Sequence, residues 1–331
     1  MKAIIPVAGA GTRLRPHTYT QPKPLIPVAG KAIISFIIDK LIDVGIDDFV
    51  FIIGYLGEKI KLYVEQEYPN IKMEFIQQNM RQGSGHAIWT AREAIKGADE
   101  VFIVFGDVII DVDMKDILAQ ETSCVVVKKV DDPREFGVVE YGEDRYVKRV
   151  VEKPSIPKSD MAMVGFYKVK EVQMLIDSLS YNIENDITTH GEFQLTDALM
   201  KMIADGVKFS TVPVNNWFDC GKKEILLETN AMLLDKEGFA SSNLPSYDST
   251  IIIHPVSIGK DCQITNSIIG PHVTIGDNAV INYSIVKESI IGNYATIEDM
   301  VLHHSIVGSD AAIKGSNKSL NIGDNTEIDF S

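Results

Sequence analysis

Cysteine is scarce in this chain of 331 residues: Cys124, Cys220 and Cys262 are the only three, and they lie far apart. An odd, scattered set gives neither a disulfide framework nor a CxxC metal site. Long apolar runs are missing too, and none approaches the roughly 20 residues of a membrane span. The apolar N-terminal stretch runs straight into glycines with no basic segment before it, so no signal peptide is expected. The expected setting is a reducing cytoplasm with no membrane partner. Basic residues are outnumbered, with 32 Lys and Arg against 46 Asp and Glu and a formal charge of −14. That excludes a long basic face and, with it, a nucleic-acid partner. It does not exclude anionic substrates, because a local Arg/Lys cluster or a metal reverses the sign inside a cleft.

What is present falls into two rhythms. Residues 1 to about 236 alternate short β-rich runs with amphipathic stretches. Lys2–Val7, Asp48–Ile53, Met73–Gln77 and Val101–Phe105 read as strands, and Ala32–Val44 and Ser84–Ala94 as helices. This alternation predicts an α/β domain with a Rossmann-like, mostly parallel mixed sheet and helices on both faces. Residues 237–250 are rich in Gly, Ser, Asn and Pro and read as a linker.

From 251 to 331 the period changes. Ile258, Ile275, Ile291 and Val307 are spaced by 17, 16 and 16 residues, and a glycine follows each. Ile264, Ile281, Ile297 and Ile313 repeat those spacings, and Ile269, Val286 and Leu302 make a third column. Three apolar columns in common register predict a left-handed parallel β-helix, one column per side. Ile322-Gly323 and Ile328 read as a last partial turn. A coil stack exposes an end and often a flat face, so a homo-oligomer is expected.

The first strand runs into Gly9-Ala10-Gly11-Thr12-Arg13-Leu14-Arg15-Pro16. Leu14 stands where a dinucleotide fingerprint needs its third glycine, and no Gly-Lys-Ser/Thr of a Walker loop is present. Glycines after a strand let backbone N–H groups approach a phosphate. Arg13, Arg15 and Lys23 lie nearby, a local basicity in an acidic chain that suggests a polyphosphate site.

The strings GAGTRLRP and QPKPLIPVAGKAI resemble the signature of the sugar-1-phosphate nucleotidylyltransferases, most of all the glucose-1-phosphate thymidylyltransferases and their uridylyltransferase relatives. The resemblance runs along residues 1–235 through Gly106-Asp107, Phe136-Gly137-Val138-Val139-Glu140, Glu152-Lys153-Pro154, Gly165-Phe166-Tyr167, Gly191-Glu192 and Trp217-Phe218-Asp219. It implies transfer of a nucleotidyl group from a nucleoside triphosphate, dTTP or UTP, to a sugar 1-phosphate, glucose 1-phosphate first, with release of pyrophosphate. It also implies roles. Arg13, Lys23, Asp107, Lys153 and Asp219 would be catalytic, with Asp107 and Asp219 holding Mg²⁺. Ala8, Gly9, Gly11, Thr12, Arg13, Lys23, Gln78, Gln82, Gly83, Ser84 and Asp107 would bind the nucleotide. Gly137, Glu152, Lys153, Val164, Gly165, Glu192 and Trp217 would bind the sugar phosphate. An amide such as Gln78 can donate to and accept from a pyrimidine edge.

Two departures bear on the substrate. Gly83-Ser84-Gly85-His86 reads more like some uridylyltransferases, and His190 stands where many thymidylyltransferases carry Arg. Other readings remain open at this stage. A strand-end Asp also caps turns. The chain could be a mannose-1-phosphate guanylyltransferase, a GlcNAc-1-phosphate uridylyltransferase or a non-catalytic nucleotide-sugar-binding regulatory subunit. His254, His272, His303 and His304 would suit an acyltransferase on the β-helix, or would simply occupy solvated turns.

Overall fold

The computed structural model describes residues 1–236 and 238–315, so the expected last turn at Ile322-Gly323 and Ile328 lies outside them. Two compact units divide the chain: Met1–Pro27 with Lys31–Leu226, and Val28–Gly30 with the remainder from Leu227.

The first unit is built on a nine-stranded mixed sheet. Lys72–Gln77, Asp48–Ile53, Lys2–Val7 and Val101–Val104 lie side by side and parallel. Met161–Val169 is antiparallel to Val101–Val104, and it pairs onward with Ser123–Lys129 and Gly137–Tyr141. Successive side chains of a strand point to opposite faces, and here both faces are apolar. Phe49, Phe51 and Ile53 join one core cluster, while Val50 and Ile52 join the other. The first cluster is covered by the helix Ile33–Ile42 through Ile34, Ile37, Ile38 and Leu41. The second is covered by Ser84–Thr90, Val172–Glu184 and Leu195–Ala204. Helices on both faces explain why Lys2–Val7, Asp48–Ile53 and Val101–Val104 are near-continuous apolar runs, whereas Lys72–Gln77 at the sheet edge has only exposed and half-buried residues.

The expected helix over Ser84–Ala94 is interrupted. Ala91, with φ −90° and ψ 5°, separates Ser84–Thr90 from Arg92–Ile95. The parallel strands all end on the side where the glycine loop, Gln78 and Gly106-Asp107 emerge. Ligands of open α/β sheets bind at such an edge.

In the second unit each expected column is a ladder. Ile258, Ile275, Ile291 and Val307 pair in parallel register, as do Ile264, Ile281, Ile297 and Ile313. Ile269, Val286 and Leu302 do the same, with Ile252 in front of them. These ladders form three four-stranded parallel sheets, the sides of a left-handed β-helix. The corners turn through left-handed backbone at equivalent places in successive coils: Asn266, Tyr283 and Asp299 form one set, and His272, Glu288 and His304 another.

The division between units falls inside the helix Lys223–Asp235, not after it. Asn230 supplies the reason. It is fully buried, and its Oδ1 accepts from the Ala29 N–H at 2.9 Å and the Thr274 hydroxyl at 2.6 Å. Its Nδ2 donates to the His272 carbonyl at 3.1 Å. The second half of this helix thus belongs with the coils.

Candidate functional site

A cavity of about 400 Å³ opens at the carboxyl edge of the parallel strands. Its floor is the loop after Lys2–Val7. Gly11 there has φ 60° and ψ 35°, and a Cβ would come 2.9 Å from the Thr18 methyl, so glycine is required. Of the expected nucleotide residues, Ala8, Gly9, Gly11, Thr12, Arg13, Lys23, Gln78, Gly83, Ser84 and Asp107 all line this cavity, with Glu192 of the sugar set. Gln82 does not. Its carbonyl accepts from the Phe193 N–H at 2.8 Å and so pins the loop.

Charge gathers at one end. Lys23 is 6% exposed. Its Nζ donates to Asp107 Oδ2 at 2.7 Å and to Asp219 Oδ1 at 3.2 Å. Arg13 Nη2 lies 3.4 Å from Asp219 Oδ2. Burial works against the Lys23 ammonium, but the two carboxylates outweigh it and raise its pKa. Three loops distant in sequence therefore meet at one nitrogen. The carboxylates Asp107 and Asp219 offer hard oxygens converging on a single cation position, a donor set that suits Mg²⁺.

At the other end Gln78 is 5% exposed. Its Nε2 donates to the Gly83 carbonyl at 3.3 Å and meets His86 Nδ1 at 3.0 Å. Burial lowers the pKa of His86 and favours the neutral ring that can accept this bond. With both amide hydrogens engaged, Gln78 offers a ligand its acceptor oxygen. The expected donor half of the pair is spent within the protein. Gly83 has φ 107°, and a Cβ there would come 2.5 Å from the Phe193 carbonyl. Ser84 donates to Gln194 Oε1 and accepts from the Leu195 N–H.

Most of the expected sugar residues gather outside this cavity lining. Gly137 pairs with Glu152 across adjacent strands. The Glu152 carboxylate accepts from the Thr196 hydroxyl at 3.2 Å and lies 3.9 Å from Lys153 Nζ. Burial raises the Glu152 pKa against the pull of Lys153. Lys153 has φ 42°, and its N–H donates to the Phe136 carbonyl. Val164 is a core residue at 1% exposure. Gly165, with φ 80°, passes its carbonyl to the Phe105 N–H. Trp217 packs edge-on against Phe136 with centroids 4.7 Å apart, and its buried Nε1 has no partner among the described residues.

Sequence reading missed three groups. Arg81 and Phe105 line the cavity, and Asp197, beside Glu152, keeps an unpartnered buried oxygen. Arg81 carried no pattern beyond a charge in a loop.

The family model described as Nucleotidyl transferase matches residues 2–236. A Bifunctional protein GlmU of Methanocaldococcus jannaschii is 38% identical over 238 residues, covering 71% of this chain and 55% of that protein. The chain thus spans about half the length of such relatives. A glucose-1-phosphate thymidylyltransferase of Streptomyces griseus is 29% identical over 315 residues, covering 88% of this chain and 86% of the relative. A crystal structure of a putative glucose-1-phosphate thymidylyltransferase from Bacillus anthracis superposes with a TM-score of 0.61 at 26% identity. It covers 74% of this chain and 98% of that one.

Proposed function

Because the chain belongs to the nucleotidyl transferase family, we propose that it joins dTTP or UTP to a sugar 1-phosphate, with glucose 1-phosphate as the first candidate, and releases pyrophosphate. The observation that carries this reading is the meeting of Arg13, Lys23, Asp107 and Asp219 at the mouth of a glycine-lined cavity whose far end holds Gln78.

Both reactants are anions, so their repulsion must be offset before a sugar-phosphate oxygen can attack the α-phosphorus. Positioning and charge neutralisation carry most of the catalysis in such transfers. Arg13 grips phosphate with a planar fork, and Lys23 acts as a point charge. Arg13 and Lys23 balance Asp107 and Asp219 in formal charge, so a triphosphate adds negative charge that these residues leave uncompensated. Members of the family use a divalent metal. Mg²⁺ held by Asp107 and Asp219 would supply the missing neutralisation. Lys153 holds the sugar phosphate, Glu152 accepts from sugar hydroxyls, and Gly137, Gly165, Glu192 and Trp217 shape that pocket. At the base, N3–H of uracil or thymine matches the acceptor that Gln78 presents, whereas cytosine has no hydrogen there.

The same reading assigns catalysis to residues 1–236, a linker to 237–250 and a β-helix to the residues from 251, while the compact units themselves divide at Leu226/Leu227 inside the helix Lys223–Asp235. So does self-association. Ile251, Ile268, Ile285 and Val301 stack in register on the outside of one β-helix side, with Ile251 and Val301 59% and 73% exposed. A second copy of the chain would cover such an apolar column. Among the described residues no helix is long and apolar enough to cross a membrane.

The test is pyrophosphate release across a grid of nucleoside triphosphates and sugar 1-phosphates. dTTP or UTP should exceed GTP and ATP at least about tenfold in kcat/KM, since a site with buried polar groups rejects a mismatched base. Preference for GTP with mannose 1-phosphate would overturn the base assignment. Nucleotide binding without turnover on any pair would overturn the reaction.

A further inference from the structure

The geometry points to a second metal site, on a corner of the β-helix, formed by Glu288, His303 and His304 and suited to a first-row divalent transition metal such as Zn²⁺. This inference is independent of the proposed reaction. The three side chains bring one ligand atom each within 4.8 Å of the others. His303 Nε2 and His304 Nδ1 both lie 2.8 Å from the same carboxylate oxygen, Glu288 Oε2. The two imidazole nitrogens are 3.0 Å apart. Among the described residues this is the one group of three or more His, Cys, Asp or Glu with converging ligand atoms.

The distances match a coordination face. Zn²⁺ bonds to imidazole nitrogen and carboxylate oxygen at about 2.1 Å, which sets neighbouring ligand atoms about 3.0 Å apart in an octahedral arrangement and about 3.4 Å apart in a tetrahedral one. The observed triangle, with edges of 2.8, 2.8 and 3.0 Å, is close to the octahedral spacing and shorter than the tetrahedral one, so a tetrahedral zinc would spread the three atoms by about 0.5 Å. The rings do not stack flat. Their planes cross at 74° with centroids 4.3 Å apart, and the facing nitrogens, His303 Nε2 and His304 Nδ1, lie 3.0 Å from each other. The donor types also select the metal. Imidazole with carboxylate suits Zn, Ni, Cu and Fe, whereas Mg²⁺ takes oxygen ligands and demands more of them.

The coil register builds the site. Glu288 and His304 occupy the same corner of successive coils, both in left-handed backbone, with φ 44° and 48°. His303 ends the strand Val301–His303, which pairs with Ile285–Lys287. Coil-to-coil hydrogen bonds hold the corner: the Glu288 N–H donates to the Pro271 carbonyl, and the Ser305 N–H to the Ser289 hydroxyl. The ligands thus project from a rigid ladder rather than a free loop, so little ordering remains to be done on binding. The side chains are themselves solvent-accessible, which leaves the remaining coordination positions open to water or to another donor.

The test is zinc uptake by the metal-stripped full chain, measured by equilibrium dialysis in excess Mg²⁺ so that Asp107 and Asp219 are not the zinc ligands. His303→Ala and Glu288→Gln each remove one ligand. His304→Asn also removes one while keeping a residue that tolerates left-handed backbone. We expect one zinc equivalent in the parent chain, binding at least about tenfold weaker in each variant, and unchanged pyrophosphate release with Mg²⁺. Circular dichroism of each variant separates lost binding from lost fold. No zinc uptake by the parent, or equal uptake by parent and correctly folded variants, would show that the three side chains only share hydrogen bonds.

Discussion

At the residue scale, Lys23 and its two carboxylates decide most. Asp107→Asn or Asp219→Asn keeps the shape but removes a charge that the proposed function turns toward phosphate and metal. Turnover should fall about a hundredfold or more, with the far-ultraviolet spectrum unchanged. Retention of near-parent activity in EDTA would refute the metal assignment. In the proposed pose the cations divide between substrates. Lys23→Ala or Arg13→Ala should raise KM for the nucleotide, and Lys153→Ala chiefly KM for the sugar phosphate. Initial rates varied in both substrates would sink this pose if all three variants raised only the sugar-phosphate KM. Glu152 links function to stability. Burial makes its folded carboxyl hold a proton to higher pH than in the unfolded chain. It therefore favours folding most at low pH, and that contribution is lost as pH rises from about 4.3 through the raised value. Glu152→Gln removes this pH-dependent loss. The variant should match or exceed the parent Tm at pH 8 while its KM for the sugar phosphate rises about tenfold. A lower Tm at pH 8 than the parent would contradict the sign.

At the element scale, local pattern and tertiary demand agree in most places and part at informative ones. The strands Lys2–Val7 and Asp48–Ile53 have the bounds that apolar composition predicts. The helix after Gly83 breaks at Ala91, where composition shows no breaker. The helix Lys223–Asp235 buries Leu226, Leu227, Leu233 and Leu234 together with a polar residue. That residue, Asn230, is fully buried. Replacing it by Ala leaves the Ala29 N–H and the His272 carbonyl without their bonds and opens space around Thr274. Unpaired buried groups cost about 1–3 kcal/mol each. Urea unfolding of Asn230→Ala should therefore show a loss of about 2–3 kcal/mol. A change below about 0.5 kcal/mol would mean that water replaces the side chain.

At the scale of the whole molecule, the open question is assembly. The outward apolar column of the β-helix gives it a handle. Ile285→Lys with Val301→Lys places two charges where a second copy would sit, while the inward residues Val286 and Leu302 stay untouched. Light scattering after size exclusion should show a smaller particle than the parent, with pyrophosphate release retained because no proposed catalytic residue changes. An identical mass for parent and variant would remove this side from the interface.

Both architectures and the local basicity of the glycine loop were legible in the sequence alone. An apolar column repeating every 16 or 17 residues has one economical explanation, a coil of that length, because burial follows a local period. The glycines and cations of residues 9–23 were legible for a similar reason: they sit together along the chain. Convergence across the chain was implied only by the family resemblance, not by any local pattern. Lys23 meets Asp107 and Asp219 across separations of 84 and 196 residues. The amide of Gln78 is half spent on Gly83 and His86, and Glu288 shares one oxygen with two histidines a coil away. Tertiary structure decided these points. Which polar groups satisfy one another depends on where strand ends and coil corners bring them, and no periodicity along the chain encodes that distance.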